Sequence, residues 1–301
     1  MTQDTRNTPR TAGPLKQWYK KYSARLPILP ALIYLVVFMA IPLGILFVMG
    51  FIDIVRGNIV PGSFTLAHYA KVLGDPYYWK MFGQTFLMGL LATVICLIFA
   101  YPVAYYYTRV GKRLKNLIMI TVMAPLLTNA VVRSFGWIII LGGPKGLLNN
   151  LLMTIGLIAE PIKFLYTFTG VIVVLVQIEL PFMVIPLITG MEDMDSRLEE
   201  ASMNLGASKV QTFFHVFMPL SVPGIIAGTS LVFVTCYTNY VVPALFGGGR
   251  VVVVGTYIYD QMTAVLDWNT GAVLSTLLLG SAMLFSWLIN VMSTRLLKWK
   301  N

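Results

Sequence analysis

Apolar residues fall in six long runs, at about 26–52, 83–108, 116–141, 168–190, 221–246 and 272–294. Each is near or above the length needed to cross the hydrocarbon of a bilayer. The pattern predicts an all-α, polytopic membrane protein: a polar, basic tail at 1–25, then a membrane domain over 26–301 with six transmembrane helices. Between the fourth and fifth runs, at 192–219, the pattern becomes amphipathic. Ser196 and Glu199 have capping-box spacing, as do Ser208 and Gln211. Gly206 lies between them, where a helix end needs positive φ. Leu198, Ala201 and Leu205 share one face of the first short helix; Val210, Phe213, Phe214 and Phe217 share one face of the second. The stretch reads as helix, glycine turn, helix, with Pro219 at the return to the membrane.

The other connections say less. Segment 53–82 reads as a mixed polar loop. Segment 142–167 carries Leu147, Leu148, Leu151, Leu152 and Ile155 as a stripe, with Asn149 and Asn150 opposite, and predicts a surface or re-entrant amphipathic helix. Segment 247–271 opens on Gly247, Gly248 and Gly249, a flexible or close-packed turn. Pro42, Pro102, Pro125, Pro181, Pro186 and Pro243 fall inside the runs and predict bent helices.

Composition agrees with a lipid environment: 57% of residues are hydrophobic and 11% charged, too few charges for a soluble domain of 301 residues. The net charge of +10 sits beside the apolar runs, not on a soluble basic face with aromatics, so it speaks for topology and lipid headgroups and against nucleic acid. Fifteen Lys and Arg lie in the tail, the 109–115 turn, the 191–220 loop and the C-terminus; six lie in the alternate loops. The positive-inside rule then puts both termini and the 192–219 stretch in the cytoplasm. The run from Leu26 to Ile52 is too long for a signal peptide. Cys96 and Cys236 lie in apolar runs, and His68 and His215 have no ligand-spaced companions, so neither a disulfide framework nor a metal site is expected. No P-loop, Ser/His/Asp or metal motif is present. Energy for any transport must then come from a separate subunit or an ion gradient.

Two places invite function. The inner stretch carries Glu192, Asp193, Asp195, Glu199 and Glu200 against Arg197 and Lys209. It either lies on lipid or docks a protein; its acidity favours a partner with a basic groove over an anionic leaflet. Within the spans, Glu179 is the lone carboxylate and Arg133 the lone base. They are candidates for the translocation path, or for pairing with each other. Tyr237, Thr238, Asn239 and Tyr240 offer aromatic faces and an amide to an ammonium, or hydrogen bonds between helices. Trp137 reads as an interfacial anchor.

Glu200-Ala201-Ser202, Gly206 four residues later, and Val216-Phe217-Met218-Pro219 resemble the EAA loop of ABC importer permeases, which runs Glu-Ala-Ala, three residues, Gly, nine residues, Ile-x-Leu-Pro. The spacing is kept, with Ser202 for Ala, Val216 for Ile and Met218 for Leu. Thr85 to Tyr107, Ala124-Pro125-Leu126, Val132 to Trp137, Gly146 to Asn149, Leu180 to Met183 with Pro186, Pro243 with Gly247-Gly248, and Asp267-Trp268 with Gly271-Ala272 resemble the spermidine/putrescine-type permeases in order. The resemblance implies one permease subunit of a type I, binding-protein-dependent importer in the bacterial inner membrane. It would work with a second homologous permease, two ATPase subunits that bind ATP and Mg, and an extracytoplasmic solute-binding protein; the chain itself would hold no cofactor and catalyse nothing. Glu199, Glu200, Ala201, Ser202, Leu205, Gly206 and Pro219 would couple it to the ATPase. Glu179, Arg133, Tyr237, Asn239 and Tyr240 are the expected pathway set. The family carries polyamines, and also opines, iron, oxyanions and phosphonates. Its members often have an acid where this chain has Asn239, which speaks against a dication, while Glu179 speaks for an amine-bearing solute. An ion-coupled secondary transporter is the alternative; it leaves the EAA spacing unexplained.

Overall fold

The computed structural model describes residues 28–55, 58–192, 194 and 197–298. The tail at 1–25, Arg56, and Asp193, Asp195 and Ser196 of the inner loop lie outside these, and so does the expected Ser196–Glu199 capping box. The described chain is built from α1 (Ile28–Met49), β1 (Ile52–Val55), β2 (Asn58–Phe64), α2 (Ala67–Gly74), α3 (Pro76–Arg109), α4 (Lys112–Met123), α5 (Ala130–Leu141), α6 (Leu147–Thr154) and α7 (Phe168–Glu192). Then come α8 (Arg197–Asn204), α9 (Lys209–Leu220), α10 (Val222–Tyr237), α11 (Val241–Gly247), α12 (Val254–Asp260) and α13 (Trp268–Lys298).

Helices α3, α7 and α10 form the centre, and small residues let them approach. On α3, Ala92, Cys96, Ala100 and Ala104 recur every four residues and are all fully buried. Where α7 crosses α10, a Cβ on Gly224 would sit 2.9 Å from the Pro186 carbonyl oxygen, and one on Gly228 would sit 2.8 Å from the Met183 sulfur. Glycine is the only residue that fits there, as expected where backbones must meet without a hydrophobic drive between helices. Both cysteines are buried and free.

Four helices (α1, α3, α7 and α13) are individually long and apolar enough to cross a membrane. The number reaches six when each of two bent pairs is taken as one span. The third run is not one straight helix. It breaks between α4 and α5 with a 100° bend, because Pro125 lacks an N–H and the chain tightens to a 3-10 turn over Ala124–Leu127 before Asn129 caps α5 through the Val131 amide (2.8 Å). The fifth run stops at Tyr237. Pro243, which lacks an N–H, disfavours an unbroken helix here; α10 ends, and the Asn239 side chain accepts from the Val242 amide (3.1 Å) just ahead of Pro243 in α11.

Segment 53–82 is more ordered than a loop. Antiparallel β1 and β2 are followed by α2. Asn269 at the start of α13 pins the hairpin, accepting from the Ile54 amide (3.0 Å) and donating to the Met49 (3.1 Å) and Ile52 carbonyls. The helix expected in 142–167 forms as α6, with its stripe split: Leu148 and Leu152 are half-buried, Leu148 on the core, and Asn150 is exposed as expected. Asn149 is buried, donating to the Gly143 (2.9 Å) and Ile162 (2.8 Å) carbonyls and accepting from the Ile162 amide (3.0 Å), while Leu147, Leu151 and Ile155 face outward. The buried backbone groups of Gly143 and Ile162 draw the Asn149 amide inward, since a buried polar group needs a partner. The 247–271 segment contains α12, whose first amide, on Val254, donates to the Thr85 hydroxyl of α3 (3.0 Å).

Candidate functional sites: an inner hairpin and a buried carboxylate

Helices α8 and α9 form the hairpin expected from the glycine and the second capping box. The Gly206 amide donates to the Met203 carbonyl (3.0 Å) and the Ala207 amide to the Ser202 carbonyl (3.2 Å), closing α8 in a Schellman turn with Gly206 at φ +91°. Gln211 and Ser208 then exchange bonds as predicted: the Ser208 amide donates to the Gln211 side chain (2.8 Å), and the Gln211 amide to the Ser208 hydroxyl (3.3 Å). Ser202 and Thr212 share a hydrogen bond (3.0 Å) that holds the two helices together.

The second apolar face does not stay whole. A π-turn over Phe213–Phe217 precedes Pro219, whose ring excludes an ordinary bond to the His215 carbonyl. Phe213 and Phe217 turn inward onto Tyr105, with ring centroids 5.1 and 4.8 Å away and near-perpendicular planes. Val210 and Phe214 stay exposed. With Leu198, Ala201, Met203 and Leu205 they make the hairpin's outer face apolar, and Glu200 stands exposed beside it. Leu205, at the tip, is 89% exposed.

The acids of this stretch are not all free. Glu199 pairs with Arg109 at the end of α3, and Glu192 with Lys115 in α4 (3.1 Å). The Arg109 guanidinium also lies over the Tyr105 ring (3.5 Å) and the Phe217 ring (4.7 Å), and the Lys115 ammonium over Tyr107 (4.9 Å). Arg109, Lys115, Glu192, Glu199 and Phe217 line a cavity of about 200 Å³. Each ion pair is roughly a third exposed and contributes less than about 1 kcal/mol to stability. The 109–115 turn and the hairpin therefore lie on one side of the bundle, as an even number of crossings between α3 and α9 requires.

In the membrane interior the expected pathway residues separate. Glu179 is buried on α7 and accepts from the Thr235 hydroxyl of α10 (2.8 Å). It makes no ion pair with Arg133 among the described residues, and the Arg133 Nε and Nη1 atoms are buried without a hydrogen bond. Direct pairing, one of the sequence expectations, is absent among the described residues, yet the two charges still act on each other: Arg133 lies on α5, whose Trp137 reaches Gln177 beside Glu179 on α7. Tyr237 is 1% exposed, shares a hydrogen bond with Ser281 (2.9 Å) and stacks on Phe233, so it belongs to the core. Asn239 is a helix cap. Tyr240 is partly exposed and stacks on Tyr259 (5.5 Å). Trp137 donates to Gln177 (2.9 Å), one turn-half from Glu179 on α7. Gln177 also lines a cleft of about 390 Å³ with Pro125, Leu180 and Pro181, where the proline bends open space between α3, α4 and α7. Thr235 and Gln177 escaped sequence reasoning; their one signal was a polar side chain close to Glu179 or to the Tyr237 cluster.

Residues 97–299 match the family described as binding-protein-dependent transport system inner membrane component. The spermidine/putrescine transport system permease proteins PotB of Salmonella typhimurium and Escherichia coli are each 36% identical to this chain over 257 residues, covering 84% of it and 89% and 93% of themselves. A chain from the solved structure of a bacterial alginate ABC transporter, in complex with an alginate pentasaccharide-bound periplasmic protein, superposes with a TM-score of 0.75 at 17% identity, covering 94% of this chain and 98% of that one. At that identity the likeness is one of fold.

Proposed function

The chain belongs to the inner-membrane components of binding-protein-dependent transport systems, and from that membership we propose that it carries a polyamine or a closely related amine-bearing solute. The observation that carries the reading is the 36% identity to spermidine/putrescine permeases over nearly their whole length. Glu179 supports it, since a buried carboxylate two residues from a helix proline suits an ammonium group and is costly to keep without a purpose. The chain is one half of the permease; a second permease, two ATPase subunits and an extracytoplasmic binding protein complete the importer. The outer apolar face of the α8–α9 hairpin and Glu200 dock into a groove of the ATPase, and Leu205 and Gly206 form the tip of that contact.

The test is uptake of radiolabelled spermidine and putrescine by proteoliposomes holding the full assembly. Uptake should require ATP and the binding protein and survive an uncoupler. Uptake that survives ATP depletion but stops with an uncoupler would make the chain a secondary transporter. ATP-driven import of an oxyanion or metal in place of amines would overturn the solute.

The same reading puts both termini and the hairpin in the cytoplasm. Leu205→Cys, in permease produced without its ATPase subunits, should react with a membrane-impermeant maleimide in inside-out vesicles and stay silent in intact cells. The background is clean, because Cys96 and Cys236 are fully buried. Labelling from the external medium would reverse the topology.

A further inference from the structure

We propose that Arg109 and Lys115 are positioning residues, Arg109 anchoring the hairpin to α3 and Lys115 anchoring its root at the end of α7 to α4, so that motion at the tip moves those helices and not α10 alone. The proposal rests on the coupling reading above.

Along the chain, the hairpin connects only to α7 on one side and α10 on the other. A push at the tip has an easy outlet: α9 contains a π-turn, and α9 and α10 meet at a 60° bend. Both are places where a helix yields. Arg109 closes that outlet from a third direction. As the last residue of α3 it touches both arms of the hairpin, pairing with Glu199 on α8 and lying 4.7 Å over Phe217 in the π-turn of α9. Its own helix supplies the seat, Tyr105, which lies 3.5 Å beneath the guanidinium and meets Phe213 and Phe217 edge to face. A planar cation with five donors serves a carboxylate and two rings at once. One turn further in, the hydroxyls of Tyr101 on α3 and Ser221 at the α9–α10 bend share a hydrogen bond (3.0 Å). Lys115 makes the second tie, from α4 to Glu192 at the end of α7. Arg109, Lys115, Glu192 and Glu199 line one cavity, so the tie of α4 to the root of the hairpin on α7 sits beside the tie of α3 to the hairpin itself. Isolated surface ion pairs fix little, but these converge on one joint from α3, α4, α7, α8 and α9.

The experiment compares solute imported per ATP hydrolysed in proteoliposomes of the full assembly. Arg109→Gln should keep the ATPase subunits bound and hydrolysing within two-fold of wild type, while import per ATP falls at least five-fold. Glu199→Gln should lower that ratio equally, and the double variant no further, because both remove one link. Lys115→Gln should act in the same direction through the second tie and keeps the test available if Arg109→Gln does not assemble. A wild-type ratio in Arg109→Gln and Lys115→Gln, or losses that multiply in the double variant, overturns the proposal. Retention of the ATPase subunits by Leu205→Asp would instead overturn the docking reading beneath it.

Discussion

Leu205→Asp should abolish import while leaving the permease folded. The side chain is 89% exposed and packs on nothing within the chain, so its replacement should change stability by no more than about 0.5 kcal/mol. Its cost falls on the partner. A leucine at the apex of an apolar face, entering a groove, has the geometry of an interface hot spot, worth about 2 kcal/mol or more; an aspartate there must also be desolvated. A loss of about 2.8 kcal/mol is a hundred-fold in affinity. The purified assembly should therefore lose its ATPase subunits and import at background, with an unchanged melting temperature in detergent. Gly206→Asp is the less clean variant. Gly206 sits at φ +91° with open space around its missing Cβ, so a side chain meets no clash but costs about 1–2 kcal/mol of backbone strain, mixing a folding defect with the docking one. Wild-type import by Leu205→Asp would remove the hairpin from the coupling surface.

Glu179→Gln should lower the initial rate of spermidine import at least ten-fold without disturbing assembly. Glutamine has the same shape and keeps an acceptor for the Thr235 hydroxyl, so packing around the site is preserved. What is lost is charge. A carboxylate and an ammonium at about 4 Å attract by about 4 kcal/mol at an effective dielectric of 20, and desolvation offsets part of it. Among the described residues no ion pair to Arg133 holds the carboxylate, which is 4% exposed in this structure and would meet a solute as the helices around it part. The loss should exceed that for putrescine, which carries one ammonium fewer, and binding-protein-stimulated ATP hydrolysis should persist. Equal import by wild type and variant would take Glu179 off the path.

The hairpin was legible residue by residue. Its turn depends on local rules: Gly206 is the residue that accepts positive φ without strain, and Ser208 and Gln211 cap a helix three residues apart wherever they occur. The pathway was not. Glu179 stood out because a charge in an apolar run is rare, yet Tyr237 and Asn239, equally conspicuous, turned out to be a core hydroxyl partner and a helix cap. A polar residue in a membrane is satisfied either by a solute or by a neighbour, and which one depends on the helix opposite. Arg133 shows the same limit: its place on α5 follows a 100° bend that proline composition suggests but does not size.

By itself the chain determined its solvent, its helical class, the six apolar runs and the place of the polar hairpin, because each of these rests on hydropathy and spacing within one segment. Tertiary structure decided what depends on two segments meeting. It broke the third and fifth runs at Pro125 and before Pro243, turned Asn149 inward and Leu147 and Leu151 outward, paired β1 with β2 around Asn269, and brought Arg109 from ninety residues away onto Glu199. Lipid cannot hydrogen-bond a backbone or hydrate a charge, so every polar group in the bundle finds its partner across helices. The order of residues along one helix does not say which neighbour that will be.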